Sequence, residues 1–348
     1  MWDELKEEKR PIVVYGMGNG ADKLFSRFEK LGISASDVFA SDGFVRGHSY
    51  RGYRVKSFSE IKENYSDFVI VLSFASGRGE VIEMLSEIDK QYDMYVPDMP
   101  VADESEYFDR EFYNLHYEEI KKVYGMLADE KSKSVYAAAI SYKLSGRLSY
   151  LLDEYTQKGD SYDLISKRGV RCFLDAGAYN GDTAREAVEY FKDLKEIYAV
   201  EPDKKTFKRL MKYVSEAPVK INPINAAVYS ENCDGSFFSA GNRNSTATAT
   251  ASYEHKTESV PFITVDSLNA SPDYIKYDVE GAEAEALIGS LETIKKSRPA
   301  LLVSLYHRSR DVFSLPLFLF GNTEGYSFYI HRLRVVPAWD LNLIAIPT

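Results

Sequence analysis

The sequence predicts an α/β protein with a mostly parallel, doubly wound sheet, preceded by a smaller α/β unit and a helical connector. Three observations predict it. First, FLDAGAYNGDT, Phe173 to Thr183, is an apolar run ending in an acid, then a glycine-rich turn, then an acid and a hydroxyl opening a helical pattern. Second, IYAVEP, Ile197 to Pro202, is another apolar strand, ending in Glu201. Third, strand and helix patterns keep alternating to the end of the chain, where two strands follow each other without an obvious helix.

Three segments are expected. Residues 1–99 read as a small Rossmann-like unit. RPIVVYGMGNGADKLFSRFEKLG gives strand, glycine turn and amphipathic helix, VFASDG a second strand ending near Asp42, SDFVIVLSF a third, and EVIEMLSEI another helix. Residues 100–168 hold no strong strand. Tyr113 to Tyr155 is rich in helix formers with apolar residues three and four apart, with Gly146 and Gly159 as expected breaks. Residues 169–348 supply seven candidate strands: RCFLDAG, EIYAVE, VKINPINAAV, DYIKYD, PALLVSLYH, GYSFYIHR and LNLIAIP. The polar stretch NRNSTATATAS, 242–252, reads as a loop, either a lid over a site or only surface.

Composition narrows the function classes. The 348 residues suit two domains, and 45% apolar with 28% charged residues is ordinary for globular protein. No apolar run reaches the about 18 to 20 residues of a bilayer span, and MWDELKEEKRP does not read as a signal peptide. A net charge of −10 argues against nonspecific nucleic-acid binding. Two cysteines, Cys172 and Cys233, suggest no disulfide framework, so a cytoplasmic setting is expected. The expected partner is a small-molecule or glycan acceptor, with a homodimer left open.

Gly177 and Gly181 leave room for a ligand close to the backbone, and the loop amides would face an anionic group. Asp182 and Thr183 also suit helix capping. An acid placed as Glu201 is commonly a ribose ligand in dinucleotide folds. The glycine spacing here, however, is D-x-G-x-x-x-G.

DAGAYNGDT, VEP, NAAV, TVD, YIKYDVEGAEAEAL and RPALLVSLYH, in that order and spacing, resemble the FkbM family of S-adenosylmethionine (SAM) dependent methyltransferases. IKYDVEGAE, Ile275 to Glu283, is the most specific piece. LADEKSK and YGMGNGADKL resemble the longer, two-domain members. The resemblance implies the class I methyltransferase layout, a seven-stranded sheet ending in an antiparallel hairpin, and methyl transfer from SAM to an oxygen of a sugar or secondary metabolite. It implies that Asp175, Gly177, Ala178, Tyr179, Gly181, Asp182 and Thr183 cradle the methionine part of SAM. Glu201, with Pro202 beside it, would take the ribose hydroxyls, Ala226 and Ala227 would lie against adenine, and Asp278 would stand beside the sulfonium. Catalysis falls to His307, as general base at the end of the fifth strand, with Asp278 and Glu280 next in line. The base and a merely pocket-shaping histidine are both open.

No metal is expected, although Asp278, Glu280 and Glu283 with His307 form an alternative cation set. Glu283 also suits the positive end of a helix. His331, with Arg332 and Arg334, suits either an anionic acceptor or a solvated edge. Gly16, Gly18, Gly20 and Asp42 form a nucleotide-type fingerprint, which reads equally as a packing turn. The competing function is therefore an NAD(P)- or nucleotide-sugar-binding enzyme or sensor in which the C-terminal domain only binds SAM.

Overall fold

A computed structural model describes residues 1–45, 47–102, 105–238, 246–248 and 257–348. Two sheets organise it. The first is parallel, formed by β1 (Ile12–Tyr15), β2 (Asp37–Ala40), β3 (Lys56–Ser57), β4 (Val69–Leu72) and β5 (Asp93–Tyr95), in spatial order β3-β2-β1-β4-β5. Central β1 and β4 are apolar at every position because helices cover both faces. The short edge strands β3 and β5 carry no such run, and the sequence patterns did not reveal them.

The second sheet holds β6 (Cys172–Ala176), β7 (Glu196–Val200), β8 (Lys220–Ile224), β9 (Tyr274–Tyr277), β10 (Ala300–Ser304), β11 (Tyr326–Arg332) and β12 (Leu341–Pro347). Its order is β8-β7-β6-β9-β10-β12-β11. Only β12 runs antiparallel, to both β10 and β11. This is the expected mainly parallel α/β sheet with a C-terminal antiparallel hairpin. The expected strand VKINPINAAV divides instead. β8 ends at Ile224, and Ala227–Val228 joins a separate four-stranded sheet with Cys233–Phe238, Thr246–Thr248 and Thr257–Ile263. The 242–252 stretch therefore contains a short strand, Thr246–Thr248; its other residues, and the expected lid with them, lie outside the described residues.

Five helices fill the connector: Arg110–Leu115, Tyr117–Met126, Glu130–Ser145, Ser149–Asp153 and Lys158–Ser166. Gly146 ends the third with φ +65°, as expected, whereas Gly159 lies inside the fifth and breaks nothing. The Glu130–Ser145 helix belongs to both cores. Val135, Tyr136, Ala139 and Ile140 pack under the second sheet, and Tyr142 packs under the first. A helix buried on opposite sides loses the one-sided apolar stripe of a surface helix. Each large side chain it buries contributes about 1.5 to 3 kcal/mol. Its Lys143 is buried too, and donates to Asp98 just after β5 at 2.5 Å. Among the described residues no helix is long and apolar enough to cross a membrane.

Candidate active site

The C-terminal ends of β6, β7 and β9 open into a cavity of about 260 Å³, the usual ligand position in open α/β sheets. At the end of β6 the amides of Gly177 and Ala178 both donate to Val200 O at 3.0 Å, tying the turn to β7. Gly177 has φ +90°, and a Cβ there would sit 2.0 Å from the carbonyl oxygen of Asp278. Only glycine lets the turn cross the end of β9 so closely. Gly181 precedes the helix Asp182–Tyr190 and is its N-cap, with no side-chain capping bond. Asp182 is therefore the first helical residue rather than the cap.

Glu201 directly follows β7 and is 7% exposed. Its Oε2 accepts from Tyr179 N at 2.9 Å and its Oε1 from Asp203 N at 2.8 Å. Burial pushes its pKa up to about 8, against those two amides, which favour the anion. Asp203 caps the following helix, Lys204–Val214, through Thr206 N. Asn225 donates to Glu201 O and Pro202 O, which turns the chain between β8 and Ala226.

The cavity gathers most of the expected residues. Gly177, Tyr179, Asp182, Thr183, Glu201, Pro202, Ala226, Ala227, Asp278 and Glu280 all line it. Ala178 and Gly181 lie just behind: Ala178 is in the core, and Gly181 packs on Tyr213 and Leu210. Asp175 is fully buried beneath the wall, both carboxylate oxygens without a hydrogen-bond partner. Burial pushes its pKa up to about 7, although Lys276 Nζ, 4.0 Å away, pulls it down.

Lys276 is a site residue that sequence reading missed. It sits inside the buried strand YIKY, on the face shared with Asp175, and donates to Asp278 Oδ2 at 3.0 Å. Ser304 Oγ and Tyr306 OH donate to Asp278 Oδ1 at 3.0 and 2.8 Å. Burial alone would raise the Asp278 carboxyl, but Lys276 and then His307 hold it well below the usual carboxylate range. The one available signal for Lys276 was a lone cation in an otherwise apolar strand.

His307 requires a correction. It lies three residues past β10, with 0% exposure, rather than over the acceptor. Its Nδ1 is 2.9 Å from Glu283 Oε1, and its Nε2 is 3.6 Å from both Asp278 Oδ1 and Glu280 Oε2. Burial works against the imidazolium, but Glu283, then Glu280 and Asp278, push its pKa up to about 10. Enclosed by these three carboxylates and absent from the cavity lining, the ring is not presented to an acceptor there. Glu283 opens the helix Glu283–Ile288, and also accepts from Val279 N at 2.8 Å and so braces the turn.

His331 does reach the cavity wall, where its Nδ1 lies 2.8 Å from Ser161 Oγ. Arg332 is fully buried and donates to the carbonyls of Leu151, Glu154, Leu333 and Val335, and Arg334 pairs with Glu83. Arg332 thus braces the connector against the hairpin, and Arg334 ties the hairpin to the Gly79–Asp89 helix of the first unit.

The glycine turn of the first sheet is built differently. A Cβ on Gly20 would lie 2.1 Å from Ser73 O, so this glycine permits close helix-to-strand packing. Asp42 Oδ1 accepts from Phe58 N and Ser59 N, and its Oδ2 from Ser59 Oγ, which holds the start of the helix Phe58–Asn64. Lys23 donates to Pro100 O and Val101 O. The expected ribose acid is thus spent on a helix end.

Residues 175–328 match the family model of the methyltransferase FkbM domain. No curated protein matches the chain. Among solved structures, the methyltransferase FkbM from Methylobacillus flagellatus KT aligns with a TM-score of 0.71 at 16% identity, covering 97% of this chain and 90% of that one. A putative rRNA-methylase from Clostridium thermocellum aligns at 12% identity with a TM-score of 0.34, over 55% of this chain and 97% of that one. Residues 175–328 are thus similar to the methyltransferase FkbM domain, and the chain shares the fold of a solved FkbM methyltransferase.

Proposed function

We propose that the protein is a SAM-dependent O-methyltransferase acting on a hydroxyl of a sugar, glycan or secondary metabolite. The observation that carries this reading is Glu201: a buried carboxylate, clamped by two backbone amides, at the lip of a cavity over a glycine turn. The residues fit the cofactor. Glu201 offers lone pairs to two ribose hydroxyls, and small Ala226 and Ala227 leave a flat face for adenine. The unpartnered oxygens of Asp175 stand under the turn that would hold the methionine end.

SAM supplies a methyl group on a sulfonium, activated for attack by an oxygen. The chain must hold the hydroxyl in line and remove its proton as the C–O bond forms. Asp278 is anchored as an anion by Lys276, Ser304 and Tyr306. It suits orienting the hydroxyl better than taking the proton, because a good base has a pKa near the working pH. Glu280 lines the cavity beside it and is the proposed proton acceptor. Asp42 and Lys23, committed to helix and backbone contacts, weigh against a nucleotide reading of the first sheet. Free Cys172 and Cys233 accord with a reducing, cytoplasmic setting.

The test is methyl transfer from labelled SAM to a panel of glycans and hydroxylated metabolites. On any acceptor found, Glu280→Gln should lower turnover roughly 10² to 10⁴-fold with SAM affinity nearly unchanged. Near-normal turnover in that variant removes Glu280 as base. No labelled product on any hydroxyl, with SAM bound, overturns O-methylation.

A further inference from the structure

We propose that the acceptor lies over β10, β12 and β11, and that it is an uncharged ring with several hydroxyls, read by Asp278, Asn342, His331 and Ser161. This deepens the methyl-transfer reading and rests on it. The residues assigned to SAM stand at the ends of β6, β7 and β9 and after β8. The same cavity continues beyond them along Tyr306, Asn342, His331 and Ser161.

Strand register builds this half. Ser304 pairs with Asn342, and Asn342 with His331, in the antiparallel ladders. Directly opposed residues share a sheet face. Asp278 follows β9 beside Ser304 and accepts its hydroxyl at 3.0 Å. Asp278, Ser304, Asn342 and His331 thus form a polar row across four strand ends. Three steps of about 4.8 Å make it about 14 Å long, the reach of a substituted ring rather than of a simple alcohol.

The row keeps hydrogen-bonding capacity. Ser304 has one proton, and its bond to Asp278 is shorter than its 3.4 Å approach to Asn342 Oδ1, so that oxygen keeps a lone pair. Asn342 Nδ2 gives one of its two protons to Asp340 O at 2.9 Å. His331 Nδ1 is engaged with Ser161 Oγ at 2.8 Å, which leaves Nε2. Below the row, Tyr274 also lines the cavity, and its buried hydroxyl has no hydrogen-bond partner among the described residues. Ligand hydroxyls, which both donate and accept, suit such a mixed set.

Charge excludes an anion. Among the described residues the cations of the cavity wall are Lys158, Lys276 and Arg332. Lys158 pairs with Glu186, Lys276 with Asp278, and Arg332 is spent on four backbone carbonyls. Burial lowers the His331 pKa, so its ring is neutral at neutral pH. Carboxylates outnumber cations along the wall, which suits a sulfonium cofactor and repels a phosphorylated or carboxylated acceptor.

The experiment titrates the full chain, with and without S-adenosylhomocysteine, with the methyl glycosides of glucose, galactose and mannose and with their 6-phosphates. Binding is read by saturation-transfer NMR, and folding of variants by circular dichroism. At least one neutral glycoside should bind, and its 6-phosphate at least about tenfold more weakly. Asn342→Ala should weaken the glycoside about five- to tenfold, the worth of a lost hydrogen bond, and leave S-adenosylhomocysteine affinity unchanged. Ser161→Ala, on the connector helix, should weaken the glycoside without touching the sheet. A 6-phosphate that binds as tightly as its neutral parent overturns the proposal. So does wild-type glycoside binding in both variants, or no neutral glycoside bound while S-adenosylhomocysteine binds. Failure of S-adenosylhomocysteine itself to bind counts instead against the methyl-transfer reading, and the proposal falls with it.

Discussion

The two sheets of this protein begin alike and end differently. Each has a central apolar strand, a glycine turn, a helix and a second strand followed by an acid. In the second sheet that acid, Glu201, is buried at the cavity lip and holds two loop amides. In the first it is Asp42, exposed, with both oxygens committed to the start of a neighbouring helix. The glycines do similar work in both, admitting a carbonyl where a Cβ would clash. The comparison teaches that the glycine turn reports how a helix meets a sheet, while the acid's partners report whether a ligand is expected there.

The largest effects should come from the shared feature. Gly177→Ala places a Cβ on Asp278 O and forces a positive φ on alanine. Overpacking and backbone strain together predict a loss of about 2 to 6 kcal/mol by chemical denaturation. Gly20→Ala meets Ser73 O at a backbone angle alanine tolerates, so the loss should be about 1 to 3 kcal/mol. If either variant is as stable as wild type, the close approach is not a constraint at that turn.

The acids should differ in the sign of their pH dependence. Glu201 and Asp175 have folded pKa values raised to about 8 and about 7. Stability from such groups is complete below their unfolded values, near pH 4, and is lost as pH rises through 7 to 8. The loss is on the order of 4 kcal/mol per group. Asp42 is lowered, first by its bond from Ser59, so its contribution is present above pH 4 and lost only below it. Denaturation from pH 4 to 9 should show the former, and Glu201→Gln should flatten the curve. An unchanged slope in that variant would remove Glu201 as a source.

Much of this was legible in sequence because it is local. IVVY, IYAV and ALLV are continuous apolar runs, as buried central strands must be, and Glu201 follows IYAV. What escaped depends on partners far along the chain. Lys276 is polar inside a core strand and makes sense only beside Asp175 and Asp278. His307 reads as a strand-end base until Glu283 is seen against its Nδ1. Lys56–Ser57 and Asp93–Tyr95 are edge strands too short to leave a pattern. Gly159 reads as a break, but the helix Lys158–Ser166 is held by its packing against the second sheet.

A smaller effect sharpens the contrast. Asp42→Ala should cost about 1 kcal/mol or less, the scale of a lost cap on an exposed helix end. A thermal melt checks it, and a large loss would give Asp42 a role beyond that helix.

The most direct measurement sets the two acids side by side. SAM is titrated calorimetrically into the full chain, into Glu201→Ala and into Asp42→Ala. The account predicts that Glu201→Ala weakens binding by about 1 to 3 kcal/mol, as expected when ligand hydroxyls lose a buried hydrogen-bond partner, and that Asp42→Ala binds like wild type. Unchanged affinity in Glu201→Ala, or a comparable loss in Asp42→Ala, would contradict the assignment of the cofactor to the second sheet.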